Sequence, residues 1–222
     1  MVSMKFDTGL GDLEAVHLGH ASLAFRINGR HIYVDPYSEK HDYENDPAAD
    51  LILITHSHYD HYDVCALRRI VKRNTVMVVS AEAETMAEQD FGRKARIKAL
   101  GNGESMEFEG IGIKAVPAYN IKHKKPDGAC FHPRGFGNGY LLDAGGFKIY
   151  IAGDTEQIPE MKDMIGADLV FLPKNLPYTM SDGEFIAAAN YLRPKYLCPV
   201  HYFEIDPEKL RAGISPDIKL CV

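Results

Sequence analysis

The sequence predicts a mixed α/β protein with layered sheets, folded as a single domain over residues 1–222. Short runs rich in Val, Ile, Leu, Tyr and Phe, separated by Gly, Asn or Pro, predominate and are typical of strands. Helical patterns are fewer and follow the first strands, interleaved with later ones, which favours an α/β architecture. The sequence shows no linker, no repeat of fixed period and no low-complexity tract, so nothing in it separates two domains.

Eleven short apolar segments are the predicted strands. In chain order they cover residues 14–18, 23–27, 31–34, 50–54, 75–79, 97–100, 111–116, 139–143, 148–151, 169–172 and 196–200. Asn28-Gly29 between the second and third segments is a typical two-residue hairpin turn. Gly145-Gly146 predicts a second hairpin further along the chain.

Four segments show helical signals. Residues 63–73 place apolar side chains on one stripe and mostly basic ones on the other, and residues 81–89 form a shorter candidate. Pro159 suits the first position of a third helix. Ser181, with Glu184 three residues later, is a capping-box pattern that predicts the start of a fourth.

Composition excludes several classes of protein. Hydrophobic residues make up 45% and charged residues 25%, an ordinary globular balance that argues against wholesale disorder. The longest aliphatic run, residues 51–54, is far too short for a membrane span. A net charge of −6 disfavours a nucleic-acid binder. The first residues lack the apolar core of a signal peptide, and the four cysteines show no CxxC spacing, so we expect a cytoplasmic protein with reduced thiols.

Five predicted strands run into a polar or metal-competent residue at their carboxyl ends. These residues are Asp35, His56, Asn120, Asp154 and His201. If the strands lie in packed sheets, their ends gather at one edge and hold these groups around a common point. Strands often end in polar residues, which accounts for one or two such cases but not for five.

Potential metal ligands are most concentrated in residues 55–61, where His56, His58, Asp60 and His61 fall within six positions. Imidazole and carboxylate are ligands for Zn, Fe or Mn. In an extended segment, His56 and His58 face the same side. Burial of these groups is costly unless a cation compensates them, so the cluster predicts a metal site rather than a solvated loop.

The motifs resemble those of the metallo-β-lactamase fold superfamily. HSHYDH at 56–61 resembles its HxHxDH signature, and residues 17–22 and 32–36 resemble its opening GHA/GHS turn and Asp-Pro strand end. AGDT at 152–155 and PVH at 199–201 resemble its later motifs. The resemblance covers nearly the whole chain and implies an αβ/βα four-layer sandwich of two sheets flanked by helices.

The resemblance also implies a ligand set. His56 and His58 bind a first metal, Asp60, His61 and His201 bind a second, and Asp154 bridges them. Asn120 stands where the family has a further histidine for the first metal. Three explanations stay open: Asn120 ligates through its side-chain oxygen; His132 or, with less support, His123 replaces the histidine; or the first site is weak and the protein mononuclear.

By the same resemblance, the activity implied is metal-dependent hydrolysis of a small ester, lactone or phosphodiester by a metal-activated water. The expected cofactor is one or two zinc ions, with Mn or Fe as alternatives. Asp60 and Asp154 would orient the water and accept its proton, and His20, Asp35 and Thr55 are candidates for orienting the ligands. Tyr178 is a candidate lining residue, and the basic run 121–125 could attract an anionic group. A catalytically impaired metal-binding module, with Asn120 as its mark, is the alternative, and an RNA-processing nuclease is disfavoured by the acidic charge.

Overall fold

The structure, a computed structural model, describes residues 2–222. Within these residues the chain forms two compact units, residues 2–101 and Asn102–Val222, and each contains one seven-stranded mixed sheet. Four α-helices and two 3₁₀ helices complete the described secondary structure. The predicted α/β class is therefore confirmed. None of the helices described is long and apolar enough to cross a membrane.

The first unit contains a sheet in which the strands follow chain order. Its elements are β1 (Val2–Thr8), β2 (Gly11–Gly19), β3 (Ser22–Ile27), β4 (Arg30–Val34), β5 (Leu51–Ile54), α1 (Val64–Ile70), β6 (Val76–Ser80), a 3₁₀ turn (Ala81–Ala83), α2 (Glu84–Phe91) and β7 (Arg96–Leu100). Strands β1 to β4 pair antiparallel, and β4 to β7 pair parallel. Parallel neighbours need a crossover, which α1 and α2 provide on either side of β6.

Helix α1 packs its apolar stripe on the sheet of the first unit. Leu67 and Ile70 of α1 belong to one buried cluster with Ile52, Ile54 and Met77 of the central strands. Full burial of such a side chain stabilises the fold by roughly 1.5–3 kcal/mol. The carboxyl ends of the parallel strands β4 and β5, after which Asp35 and His56 follow, are thus fixed on a rigid core.

The second unit contains a sheet in the order β14-β13-β12-β11-β10-β9-β8. Its elements are β8 (Ser105–Phe108), β9 (Ile111–Ala118), β10 (Gly137–Ala144), β11 (Phe147–Ile151), a 3₁₀ helix (Pro159–Met164), β12 (Leu169–Pro173), α3 (Asp182–Leu192), β13 (Tyr196–Val200), α4 (Pro207–Gly213) and β14 (Lys219–Leu220). Strands β8 to β11 pair antiparallel, and β11 to β14 pair parallel. Strands β9, β11 and β13 therefore run in the same direction, and Asn120, Asp154 and His201 follow their ends at one edge.

The turn and cap predictions are confirmed. Asn28 and Gly29, both with positive φ, join β3 to β4 in an antiparallel hairpin, and the Gly145-Gly146 turn joins β10 to β11. Ser181 and Glu184 form the predicted capping box of α3. The segment that begins at Pro159 is a 3₁₀ helix rather than an α-helix.

Four elements were not predicted: β1, β8, β14 and α4. Strand β1 alternates half-buried apolar residues with exposed polar ones, a period-two strand pattern that the sequence analysis missed. Strand β8 has the same alternation, and β14 is two residues long. Helix α4 is one short segment capped by Asp206, with Pro207 in its first turn.

Candidate metal centre

Asp35 organises the histidine cluster of the first unit. Its Oδ1 accepts a hydrogen bond from the Thr55 backbone N–H at 2.8 Å, and its Oδ2 accepts from the Thr55 hydroxyl at 2.6 Å. The same Oδ2 lies 2.7 Å from Nδ1 of His61. Because a carboxylate only accepts, His61 donates from Nδ1 and presents the lone pair of Nε2 as its ligand atom.

Thr55 sets the tautomer of His56 in the same way. Its hydroxyl proton goes to Asp35, so its oxygen accepts from Nδ1 of His56 at 3.0 Å. Nε2 of His56 then lies 3.0 Å from Nδ1 of His58. Two nitrogens bound to one tetrahedral zinc are about 3.3 Å apart, so the pair fits a shared ion with a shift of a few tenths of an ångström.

His20 and Asp60 form a second group of ligand atoms in the first unit. Nε2 of His20 lies 2.9 Å from Oδ2 of Asp60, and the ligand atoms of His20, Asp60 and His61 all lie within 4.8 Å of one another. Nε2 of His17 is 2.8 Å from the carbonyl oxygen of His20. The imidazoles of His20 and His61 thus flank the carboxylate of Asp60, and this donor set suits a divalent cation.

Glu82, which the sequence did not single out, fixes the loop between His56 and His58. Its two carboxylate oxygens accept from the backbone N–H of Ser57 at 2.7 Å and from the Ser57 hydroxyl at 2.8 Å. This bidentate contact holds the residue between the two histidines, and so supports the spacing of their rings.

In the second unit, one carboxylate oxygen is faced by two imidazoles. Oδ2 of Asp154 lies 3.1 Å from Nε2 of His201 and 3.3 Å from Nε2 of His132. All three residues are buried. Asp154 and His201 follow β11 and β13, as their strand-end positions predict, whereas His132 comes from the loop before β10.

Asn120 orients His132. Its Oδ1 accepts from the backbone N–H of His132 at 2.7 Å and lies 3.0 Å from the ring Nδ1. Its Nδ2 donates to Oε1 of Glu156 at 3.1 Å and to the carbonyl oxygen of Tyr178 at 2.8 Å. The two acceptors around Nδ2 fix which way the amide points, so His132 donates from Nδ1 and its Nε2 faces Asp154.

Of the three explanations for Asn120, the geometry favours replacement by His132. The side-chain oxygen of Asn120 contacts His132, and His132 lies against Asp154. The other candidate, His123, has its Nε2 on Glu184 at 2.9 Å. His132, twelve residues downstream of Asn120, is therefore the candidate that lies against Asp154.

Glu156 is a further residue that the sequence analysis missed. Its carboxylate is buried and accepts three consecutive backbone N–H groups, those of Ile121 at 3.0 Å, Lys122 at 2.7 Å and His123 at 2.7 Å, besides the amide of Asn120. These bonds fix the loop that follows β9. Its position directly after the GDT motif was the available signal, since a carboxylate inside a buried turn needs donors.

The basic run 121–125 is partly neutralised within the second unit. Nζ of Lys122 lies 3.1 Å from Oε1 of Glu184, and Nε2 of His123 lies 2.9 Å from Oε2. Burial alone raises the pKa of Glu184, but hydrogen bonds from His123, Ser181 and Lys122 outweigh it and lower the pKa to about 2.

Tyr178 contributes its backbone to the site and its ring to the surface. The carbonyl oxygen binds Asn120, while the ring packs edge-on against Phe131 at 5.0 Å and stays partly exposed. Asn175, three residues earlier, places its side-chain nitrogen 3.5 Å from Nδ1 of His201.

Three candidate site residues adopt left-handed backbone angles. His20, Asp35 and His201 have φ of 52°, 43° and 58°, and they are half of the six non-glycine residues with positive φ within residues 2–222. This conformation is uncommon for residues with a side chain and tends to occur at functional sites. Each of the three lies where a strand has just ended, so the turn redirects the side chain.

The sequence of the chain matches a known family over most of its length. Residues 15–201 match the family model described as a beta-lactamase superfamily domain. The chain belongs to the metallo-β-lactamase superfamily. The fold class implied by the HSHYDH signature is therefore confirmed.

Proteins with similar sequences are named metal-dependent hydrolases. A UPF0173 metal-dependent hydrolase of Thermus thermophilus is 33% identical over 202 residues, which is 88% of this chain and 86% of the relative. One from Bacillus pumilus is 32% identical over 204 residues, covering 88% of each chain.

One solved structure supports the same assignment, and a second supports the fold. A crystal structure of a predicted metal-dependent hydrolase from Parabacteroides distasonis has a TM-score of 0.86 at 37% identity, over 99% of this chain and 97% of that one. A metallo hydrolase from the archaeon Ignicoccus hospitalis has a TM-score of 0.76 at 23% identity, over 95% and 94%, and supports the fold. The protein is thus a metal-dependent hydrolase, and it carries His and Asp groups able to bind metal.

Proposed function

We propose that the imidazole and carboxylate groups of the two units act together as one metal centre for one or two zinc ions. The proposed ligands of the first ion are His56, His58 and His132, those of the second are Asp60, His61 and His201, and Asp154 is shared. The donor set supports this assignment, because imidazole nitrogens and carboxylate oxygens without thiolate suit catalytic zinc, and also Mn or Fe.

The proposed reaction is hydrolysis of a small ester, lactone or phosphodiester. A bound divalent cation supplies the Lewis acidity that makes water nucleophilic at neutral pH. Asp60 and Asp154 orient the attacking water and accept its proton. His20, whose Nε2 is 2.9 Å from Oδ2 of Asp60, orients that carboxylate.

The observation that carries the proposal is tautomer control at three histidines. Asp35 and Thr55 hold His61 and His56 with Nδ1 protonated, and Asn120 does the same for His132. Partners of this kind typically orient metal-binding histidines and raise their basicity. Because His132 lies against Asp154, the asparagine at position 120 no longer argues for an impaired metal-binding module.

Elemental analysis and a substrate panel test the proposal. The purified protein should bind at least one zinc per chain and, after reconstitution with Zn, Mn or Fe, hydrolyse p-nitrophenyl esters, lactones or bis-p-nitrophenyl phosphate. His58→Ala and His201→Ala, one from each unit, should lose metal and turnover together. His41→Ala is the matched control, since His41 pairs with Asp46 and is not a proposed ligand. One tight metal without turnover on any substrate favours the impaired module instead.

We further propose one domain over residues 1–222, acting in the cytoplasm on small molecules. The family match spans residues 15–201, and thus parts of both units. The four cysteines are free thiols, as is usual in a reducing compartment. The excess of acidic residues supports small molecules over nucleic acid as the partner.

A further inference from the structure

Exposed apolar side chains of the second unit lie in the loops that also carry the site residues. Leu176 is 51% exposed, Phe203 is 72% exposed, and Ile121 and Tyr178 are exposed to a similar degree as Leu176. They follow the ends of β9, β12 and β13, the strands that lead to Asn120, Asn175 and His201. Large apolar side chains grouped on a surface commonly mark a binding site.

Two of these side chains line a cleft of about 530 Å³ in the second unit. Asn175, Leu176, Met180 and Phe203 are among the residues that line it. This volume lies in the range of small-molecule sites. Because the side-chain nitrogen of Asn175 is 3.5 Å from Nδ1 of His201, the cleft opens beside a proposed ligand.

The charges that line the cleft are compensated within it. Nζ of Lys174 lies 2.8 Å from Oδ1 of Asp182, and Nζ of Lys209 lies 2.6 Å from Oδ2 of the same carboxylate. Hydrogen bonds from these two lysines hold the pKa of Asp182 below its ordinary value. Glu204 balances the second lysine, so the lining has a formal charge of zero.

The basic run 121–125 is partly compensated, and it does not line the cleft. Lys122 and His123 both contact Glu184, and Arg134 contacts Glu160 at 2.5 Å. Lys124 and Lys125 lie on the exposed hairpin closed by the bridge between Lys124 and Cys130. The cations that do line the cleft, Lys174 and Lys209, already contact the carboxylate of Asp182, and an anionic ligand would have to compete with it.

We infer that the substrate is an uncharged ester or lactone whose apolar arm lies along Leu176, Met180 and Phe203. This inference rests on the proposed hydrolase function and narrows it, since it disfavours phosphodiesters. Asn175 lies between the arm and His201, so the scissile group of a bound substrate faces the metal ligands of this unit.

A series of p-nitrophenyl esters from acetate to hexanoate tests the inference on zinc-reconstituted protein. Burial of the arm predicts that kcat/KM rises by about fourfold per buried methylene, and at least tenfold over the series. Phe203→Ala and Leu176→Ala should reduce this rise, mainly through KM. Ile165→Ala is the control, because Ile165 is exposed to the same extent as Leu176, lies in the same unit and does not line the cleft. Bis-p-nitrophenyl phosphate should be turned over more slowly than the hexanoate ester.

The outcomes separate the inference from the proposed function. A flat dependence on chain length, an equal loss in Ile165→Ala, or a preference for the phosphodiester overturns the inference and leaves the hydrolase in place. Absence of turnover on every substrate, with metal bound, overturns the proposed function. Calorimetry with hexanamide, an uncharged probe, gives a readout without catalysis: binding that Phe203→Ala weakens at least fivefold supports the cleft, and binding unchanged by Phe203→Ala rejects it.

Discussion

Replacement of Asp35 by Asn tests whether control of the His61 tautomer determines metal affinity. The carboxylate accepts three hydrogen bonds, two from Thr55 at 2.8 and 2.6 Å and one from Nδ1 of His61 at 2.7 Å. An amide of the same shape presents its NH₂ group to a donor in either orientation. His61 relieves the conflict by moving its proton to Nε2, the proposed ligand atom. Loss of such a partner typically weakens metal binding by about 10–100-fold, or about 1.4–2.8 kcal/mol.

Competition titration of zinc against a chelator measures the effect, and circular dichroism with thermal melts shows whether the variant folds. Asp46→Asn is the matched control, because Asp46 contacts Nε2 of His41 at 2.8 Å and neither residue is a proposed ligand. We expect the control to bind zinc like the wild type. A folded Asp35→Asn protein with wild-type zinc affinity would refute the reasoning.

Three further predictions follow from single contacts. Because the pKa of Glu184 is lowered to about 2, its stabilisation is present above its ordinary pKa of 4.5 and is lost as pH falls toward 2. Solvent screens these contacts, so urea melts should show the wild type losing roughly 1 kcal/mol over this range that Glu184→Gln does not lose. The buried hydroxyl of Tyr150 has no hydrogen-bond partner among residues 2–222, so Tyr150→Phe should raise the unfolding free energy by about 1 kcal/mol, and a lower Tm would contradict this. Glu156→Gln places an NH₂ group against backbone N–H donors, so it should lower the Tm and weaken zinc binding about tenfold. If the Tm and the zinc affinity are both unchanged, Glu156 does not support the position of Asn120.

The sequence predicted those parts of the site that follow apolar strands. Asp35, His56 and Asp154 could be located because each comes shortly after a short buried run, and parallel strands end at the same edge of a sheet. The hairpin turns and the capping box depend on residues at most three positions apart, so local chemistry was sufficient.

The parts that the sequence did not predict depend on contacts between distant residues. Glu156 and Asn120 are 36 positions apart, and Ser57 and Glu82 are 25 apart. An exposed or loop carboxylate has no periodic pattern, and only the folded chain shows which donors surround it. His132 was one of several alternatives for the same reason, since its loop position does not indicate where its ring points.

The left-handed angles at His20, Asp35 and His201 have a consequence for engineering. Each such residue costs roughly 1–3 kcal/mol relative to one that tolerates this geometry. A selection for thermal stability alone should therefore enrich glycine or asparagine at these three positions and yield proteins that are more stable but inactive. Mutant libraries intended to raise the thermal stability of this enzyme should keep these three residues unchanged.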